Sequence, residues 1–127
     1  EIILVSQKPY FYFENYLSTI DKFFINKKRL PNKDEIVELE KEYFDSHYTK
    51  IETEDGEWIN VNKILKEISI SEDVKLLIHK KILCNEVKKR CKFLTDDNRK
   101  IYYDASHYTL EGAKFAGKKM FELKWFD

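Results

Sequence analysis

Glu1-Ile2-Ile3-Leu4-Val5-Ser6 opens the chain with four consecutive apolar residues, three of them β-branched. So short a run, bounded by polar residues, reads as a buried strand of a parallel sheet. Val74-Lys75-Leu76-Leu77-Ile78-His79 is a second short apolar run, consistent with another buried strand, although periodicity alone cannot separate it from a helix. It follows a helical stretch across a short connection, as parallel α/β winding requires. A buried central strand has neighbours on both edges, and no initiator Met precedes this one. The sequence therefore reads as the C-terminal portion of a larger protein, with residues 1–127 forming part of one domain, the other reading being a mature N-terminus exposed by processing.

Between the two strands, apolar spacing predicts helices. Phe11 to Ile25 carries Phe13, Tyr16, Leu17, Ile20, Phe23 and Phe24 at helical period, and the basic turn Lys27-Lys28-Arg29-Leu30-Pro31 stops it. Asn32 with Glu35 three residues on resembles a capping box for a second helix, reaching about Phe44 with Ile36, Leu39, Glu40 and Tyr43 in register. From His47 to Gly56 the polar residues predict a loop. Trp58 to Ile68 returns to helical period, with Trp58, Val61, Leu65 and Ile68 on one face. Thr109 is the expected N-cap of a last helix whose narrow face is Ala113, Ala116, Gly117, Met120 and Leu123.

Composition narrows the function. The 127 residues carry 23 Lys+Arg against 23 Asp+Glu, which excludes a polybasic nucleic-acid binder relying on an excess of positive charge. No apolar run approaches the roughly 18–20 residues of a membrane helix, and the first residues lack a signal-peptide pattern. With 3 Gly, 2 Pro and 15% aromatics, the chain can build a packed core rather than a disordered tail.

Two groups of residues invite chemistry. Cys84 and Cys91 are the sole cysteines. Their spacing suits a local loop staple, which places the domain outside the cytosol, or a pair of reduced thiols inside it; a zinc site would need His79 and a fourth ligand at odd spacing. Asp104-Ala105-Ser106-His107 lies just ahead of the last helix. An Asp three residues before a His can hold imidazole Nδ1 while Nε2 points into a cleft, the base half of a hydrolase triad. Spacing alone favours the plainer reading of a capping Asp and a surface His. Ser106, between the two, is badly placed as a nucleophile. His47 and His79 read as surface and strand-end residues, Tyr10-Phe11-Tyr12-Phe13 as core packing rather than a sugar-stacking surface, and Lys88 to Lys92 as a solvated loop.

The segment from Leu83-Cys84 through Cys91 to Ile101-Tyr102-Tyr103-Asp104-Ala105-Ser106-His107-Tyr108-Thr109-Leu110-Glu111-Gly112-Ala113 resembles the C-terminal block of the SGNH-hydrolase superfamily. It looks most like the SGNH domain fused to acyltransferase-3 membrane proteins, in which a Cys pair precedes a Tyr-x-Asp-x-x-His-hydrophobic-Ser/Thr-x-x-Gly-Ala pattern. The resemblance implies the C-terminal portion of a three-layer α/β/α sandwich with a parallel sheet. It also implies Asp104 and His107 as triad acid and base, supported by Thr109, Gly112 and Ala113. Tyr108 departs from the Leu usual after the His.

No Gly-Asp-Ser occurs among the 127 residues, so the nucleophile and oxyanion residues are expected upstream. By the same resemblance the parent is a membrane O-acyltransferase acting outside the cytoplasm, tethered through its acyltransferase membrane domain. It would pass an acetyl or similar group to a glycan hydroxyl. No cofactor is expected in this part, a donor such as acetyl-CoA being used by the membrane part, and no nucleic acid is expected as partner. The alternatives are a carbohydrate esterase and a non-catalytic glycan-binding or interaction module.

Overall fold

The structure, a computed structural model, describes residues 2–11, 17–48 and 50–125. In chain order the elements are β1 (Ile3–Val5), β2 (Tyr10–Phe11), α1 (Thr19–Lys27), α2 (Lys33–Ser46), β3 (His47–Tyr48), β4 (Lys50–Glu52), β5 (Trp58–Asn60), α3 (Val61–Ser71), β6 (Lys75–Leu77), a 3₁₀ turn (His79–Ile82), β7 (Cys84–Asn85), β8 (Arg90–Cys91) and α4 (Leu110–Glu122). The two apolar runs pair as parallel strands, β1 on β6, with Ile3 opposite Lys75 and Val5 opposite Leu77. α3 connects to β6 and packs against it. This is the α/β winding expected from the sequence.

The expectation of a buried first strand is corrected. Ile3 and Val5 remain 41% and 49% exposed, because β6 is the sole strand paired with β1 among the described residues. α3 likewise buries none of its residues, leaving Ile64, Ile68 and Ile70 on the surface.

The core lies between α1, α2 and the segment from the 3₁₀ turn to α4. Phe11 is fully buried, edge-on to Tyr43 at 5.2 Å and to Tyr102 at 5.1 Å. Tyr43 stacks on Phe93 at 5.0 Å. Such ring pairs add about 0.5–1.5 kcal/mol each beyond their buried area. Phe11 is thus core, as the sequence suggests, and Tyr10 is partly exposed; Tyr12 and Phe13 lie outside the described residues.

α2 begins where its capping box predicts. Asn32 Oδ1 accepts from the amides of Asp34 and Glu35, and the Glu35 carboxylate accepts in return from the Asn32 amide at 2.8 Å. α1 instead starts at Thr19, eight residues later than expected from Phe11, because Ser18 and Asp21 close a capping box there. Residues 47–56 are not a plain loop: β3 pairs with β2, and β4 turns back onto β5. β5 takes Trp58–Asn60 out of the expected helix, and Asn60 caps α3 by accepting from the Lys63 amide at 3.2 Å. On α4 the buried positions are Gly112, Phe115 and Ala116, whereas Ala113 and Gly117 face outward. Phe115, omitted from the expected narrow face, turns that helix toward the core.

Candidate active site

The residues before α4 form a lattice of backbone bonds that fixes a tight turn. Thr109 caps the helix: its Oγ1 accepts from the Gly112 amide at 2.9 Å and donates to the Lys100 carbonyl at 2.5 Å, while its amide donates to the Ile101 carbonyl at 2.9 Å. Gly112 is required by this close approach, since a Cβ there would lie 2.7 Å from the Ile101 carbonyl carbon. One residue further along, Tyr102 bridges to Tyr108 and the Tyr103 amide donates to the His107 carbonyl at 3.1 Å. What remains between is Asp104-Ala105-Ser106. The Ala105 carbonyl accepts from the Phe11 amide at 3.0 Å, joining the turn to β2. Lys100 also pairs with Asp21 at 2.6 Å, tying the segment to the cap of α1.

Within this turn Asp104 performs two tasks. Oδ1 accepts from the amides of Ser106 at 2.9 Å and His107 at 2.7 Å, an Asx-type turn that sets the backbone. Oδ2 lies 2.8 Å from His107 Nδ1. An ionised carboxylate accepts there, so Nδ1 carries the ring proton and Nε2 presents a lone pair. Partial burial opposes the charge on Asp104, but the amides of Ser106 and His107 and the imidazole outweigh it and hold the carboxyl down at about 2. The His107 ring is 65% exposed and stacks on Tyr103 at 5.7 Å. Nε2 has no hydrogen-bond partner among the described residues. The pair can therefore accept a proton from a group arriving from outside.

Ser106 does not complete a triad. Its Oγ sits 3.4 Å from Nδ1, the nitrogen Asp104 already holds, rather than at Nε2. His47 is half-buried, with Nδ1 against the Phe44 carbonyl, and burial lowers its basicity. His79 lies between the rings of Tyr108 and Trp125, with Nε2 3.3 Å from the Tyr108 hydroxyl. Burial, then the charge of Lys8, push it down to about 4.

His79, a strand-end residue as the sequence suggests, belongs to a group with Ser6 and Lys8 that sequence reading did not assemble. Its amide donates to Ser6 Oγ at 2.7 Å, so the carboxyl ends of β1 and β6 are joined where α/β sheets place their ligands. Lys8, just past β1, sets its ammonium 4.9 Å from the centre of the Tyr108 ring and 5.8 Å from that of Tyr102. The signal available was position alone: each residue follows an apolar strand directly. Cys84 and Cys91 are joined as a disulfide across the β7–β8 pair, so their sulfurs are not free as zinc ligands. Among the described residues no three His, Cys, Asp or Glu side chains are grouped to hold a metal ion.

A parallel α/β core carrying an Asp–His pair at the start of its last helix defines a class of hydrolase-like domains. The chain belongs to the family of SGNH domains fused to AT3 domains, whose model matches residues 2–121. No curated protein and no solved structure matches it. Among the described residues no helix is long and apolar enough to cross a membrane.

Proposed function

We propose that this chain supplies the acid–base pair of an extracytoplasmic O-acyltransferase, in which an acetyl or similar acyl group passes through a serine ester to a hydroxyl of a cell-surface glycan. The observation that carries the reading is Asp104 Oδ2 at 2.8 Å from Nδ1 of an exposed His107 in a chain of this family. His107 Nε2 takes the serine proton as the serine oxygen attacks the acyl carbonyl, then returns it to the departing donor. In the second half the same nitrogen takes the proton of the glycan hydroxyl, which attacks the ester, and hands it back to the serine. Asp104 holds the tautomer throughout. Fusion to AT3 domains in this family supports a membrane acyltransferase part of the same parent chain as the source of acyl groups, with a donor such as acetyl-CoA on that side. The disulfide supports an oxidising compartment.

The serine and oxyanion donors would come from outside these residues, where no Gly-Asp-Ser occurs. The exposed apolar side chains of β1 and α3 support a further layer of the same domain seated against them. In the full-length protein, His107→Ala is expected to abolish acyl transfer. Asp104→Asn should cut it heavily while the domain stays folded; in serine proteases the corresponding change costs about 10⁴ in turnover. Folded, fully active variants would overturn the assignment. A wild-type protein that releases free acid and acylates no glycan would make it an esterase.

A further inference from the structure

We propose that the concavity enclosed by the disulfide hairpin, the 3₁₀ turn and the second half of α4 binds an oxyanion, a carboxylate or phosphate, carried on a ligand of one or two sugar units. The cavity measures about 350 Å³, and five cationic side chains line it: Lys81, Lys88, Arg90, Lys92 and Lys119. Two carboxylates, Glu40 and Glu122, share the lining. In a chain with no net charge, this is a local excess of three positive charges around one hollow.

The internal pairings consume part of that excess, since Asp96 from outside the lining takes up Lys92, and they leave two of the five cations over. Lys119 meets Glu122 at 2.5 Å, Lys92 meets Asp96 at 2.5 Å, and Arg90 stands 3.7 Å from Glu40. Lys81 and Lys88 have no carboxylate partner among the described residues. Burial raises the Glu40 carboxyl against the pull of Arg90 and Lys92.

The walls are fixed in place. Cys84–Cys91 closes the hairpin that presents Lys88 and Arg90, and Asn85 Oδ1 accepts from the Lys88 amide at 2.8 Å. The ammonium groups of Lys92 and Lys119 stand 5.5 and 5.8 Å from the centre of the Phe115 ring. Ile82, Leu83 and Phe115 make the floor apolar. Attraction over such a floor is less screened than in open water, and the apolar patch suits the C–H face of a sugar. The volume falls at the lower end of small-ligand pockets, which span about 300–1,000 Å³. Along α4 the site lies about 15 Å from the Asp104–His107 turn, so the two can fail separately.

Digalacturonate, its uncharged methyl ester, inorganic phosphate and phosphatidylglycerol vesicles are the probes, with amide shifts of the isotope-labelled chain as readout. Digalacturonate is expected to shift the amides of Asn85, Lys88 and Arg90 saturably, with phosphate competing at the same amides. The ester should bind at least about tenfold more weakly. The exposed double change Lys81→Gln/Lys88→Gln should cost about tenfold in affinity with an unaltered unfolding midpoint, and Lys66→Gln on α3 should change nothing. Equal binding of the ester, no saturable binding, or full affinity in the double variant would overturn the proposal. Vesicle binding without uronate binding would overturn it in favour of a lipid headgroup.

Discussion

Asp104 sets a backbone turn and holds an imidazole with one carboxylate. Its folded value is held down at about 2, below the unfolded carboxylate value of about 3.9. Its contribution is therefore fully present above the unfolded value and is lost as pH falls through the folded one, across roughly pH 4 to 2. The carboxyl carbon shift of Asp104 should titrate near 2, and Asp104→Asn should remove that segment of the acid-stability curve; a titration near 4 would dissolve the turn as described. Two glycines on α4 make an opposed pair. Gly112→Ala must displace the Ile101 backbone and should cost at least the upper part of the ~1–3 kcal/mol seen for overpacking. A methyl group at Gly117 would meet nothing within 4 Å, so Gly117→Ala should stabilise by about 0.5–1 kcal/mol. Denaturant midpoints measure both. The Asp–His spacing was legible in the sequence, but its geometry was not: a carboxylate that bonds two amides and a ring differs from a plain helix cap only in three dimensions.

At the scale of elements, the disulfide hairpin invites the clearest test. In the chain-entropy account, a loop as short as Cys84–Cys91 contributes roughly 2–3 kcal/mol. Protein made under oxidising conditions should be lighter by the two hydrogens lost, and Cys84→Ser/Cys91→Ser should fall in stability by about that amount. Two freely alkylated thiols would remove both the staple and its bearing on compartment. α2, α4 and the apolar runs of β1 and β6 could be read from sequence because caps and runs of apolar residues are local signals, whereas the pairing of β1 with β6 is not. Asn32 and Glu35 marked one helix start, and Thr109 marked another. β2, β3 and β5 could not, since their residues lie in stretches whose aromatic spacing or polarity points to a helix or a loop, and strand partners decide otherwise. Ser18 with Asp21 was a cap in plain view, obscured by the aromatic spacing that continued across it.

For the molecule as a whole, the central question is what the proposed acid–base pair does with no nucleophile placed at Nε2 among the described residues. Ser106 Oγ faces Nδ1, and no Gly-Asp-Ser accompanies it. The purified chain is therefore expected to hydrolyse a small acetyl ester no faster than buffer, with Ser106→Ala making no difference, because little remains to stabilise a tetrahedral intermediate. Turnover abolished by Ser106→Ala would show that serine to be a working nucleophile. Sequence alone indicated the class of fold and the family; it could not indicate that β1 and α3 leave their isoleucines outside, because apolarity states a preference for burial and not which neighbour provides it.

The β1–β6 pair joins positions 3 and 75, and a ribosome writes the chain in order. At about 5–20 residues per second, the first strand is made several seconds before its partner exists. For that interval an apolar ribbon with unpaired amides is available to whatever holds nascent chains. Slowing elongation anywhere between α1 and α3 would lengthen that exposure without altering a single contact of the finished protein.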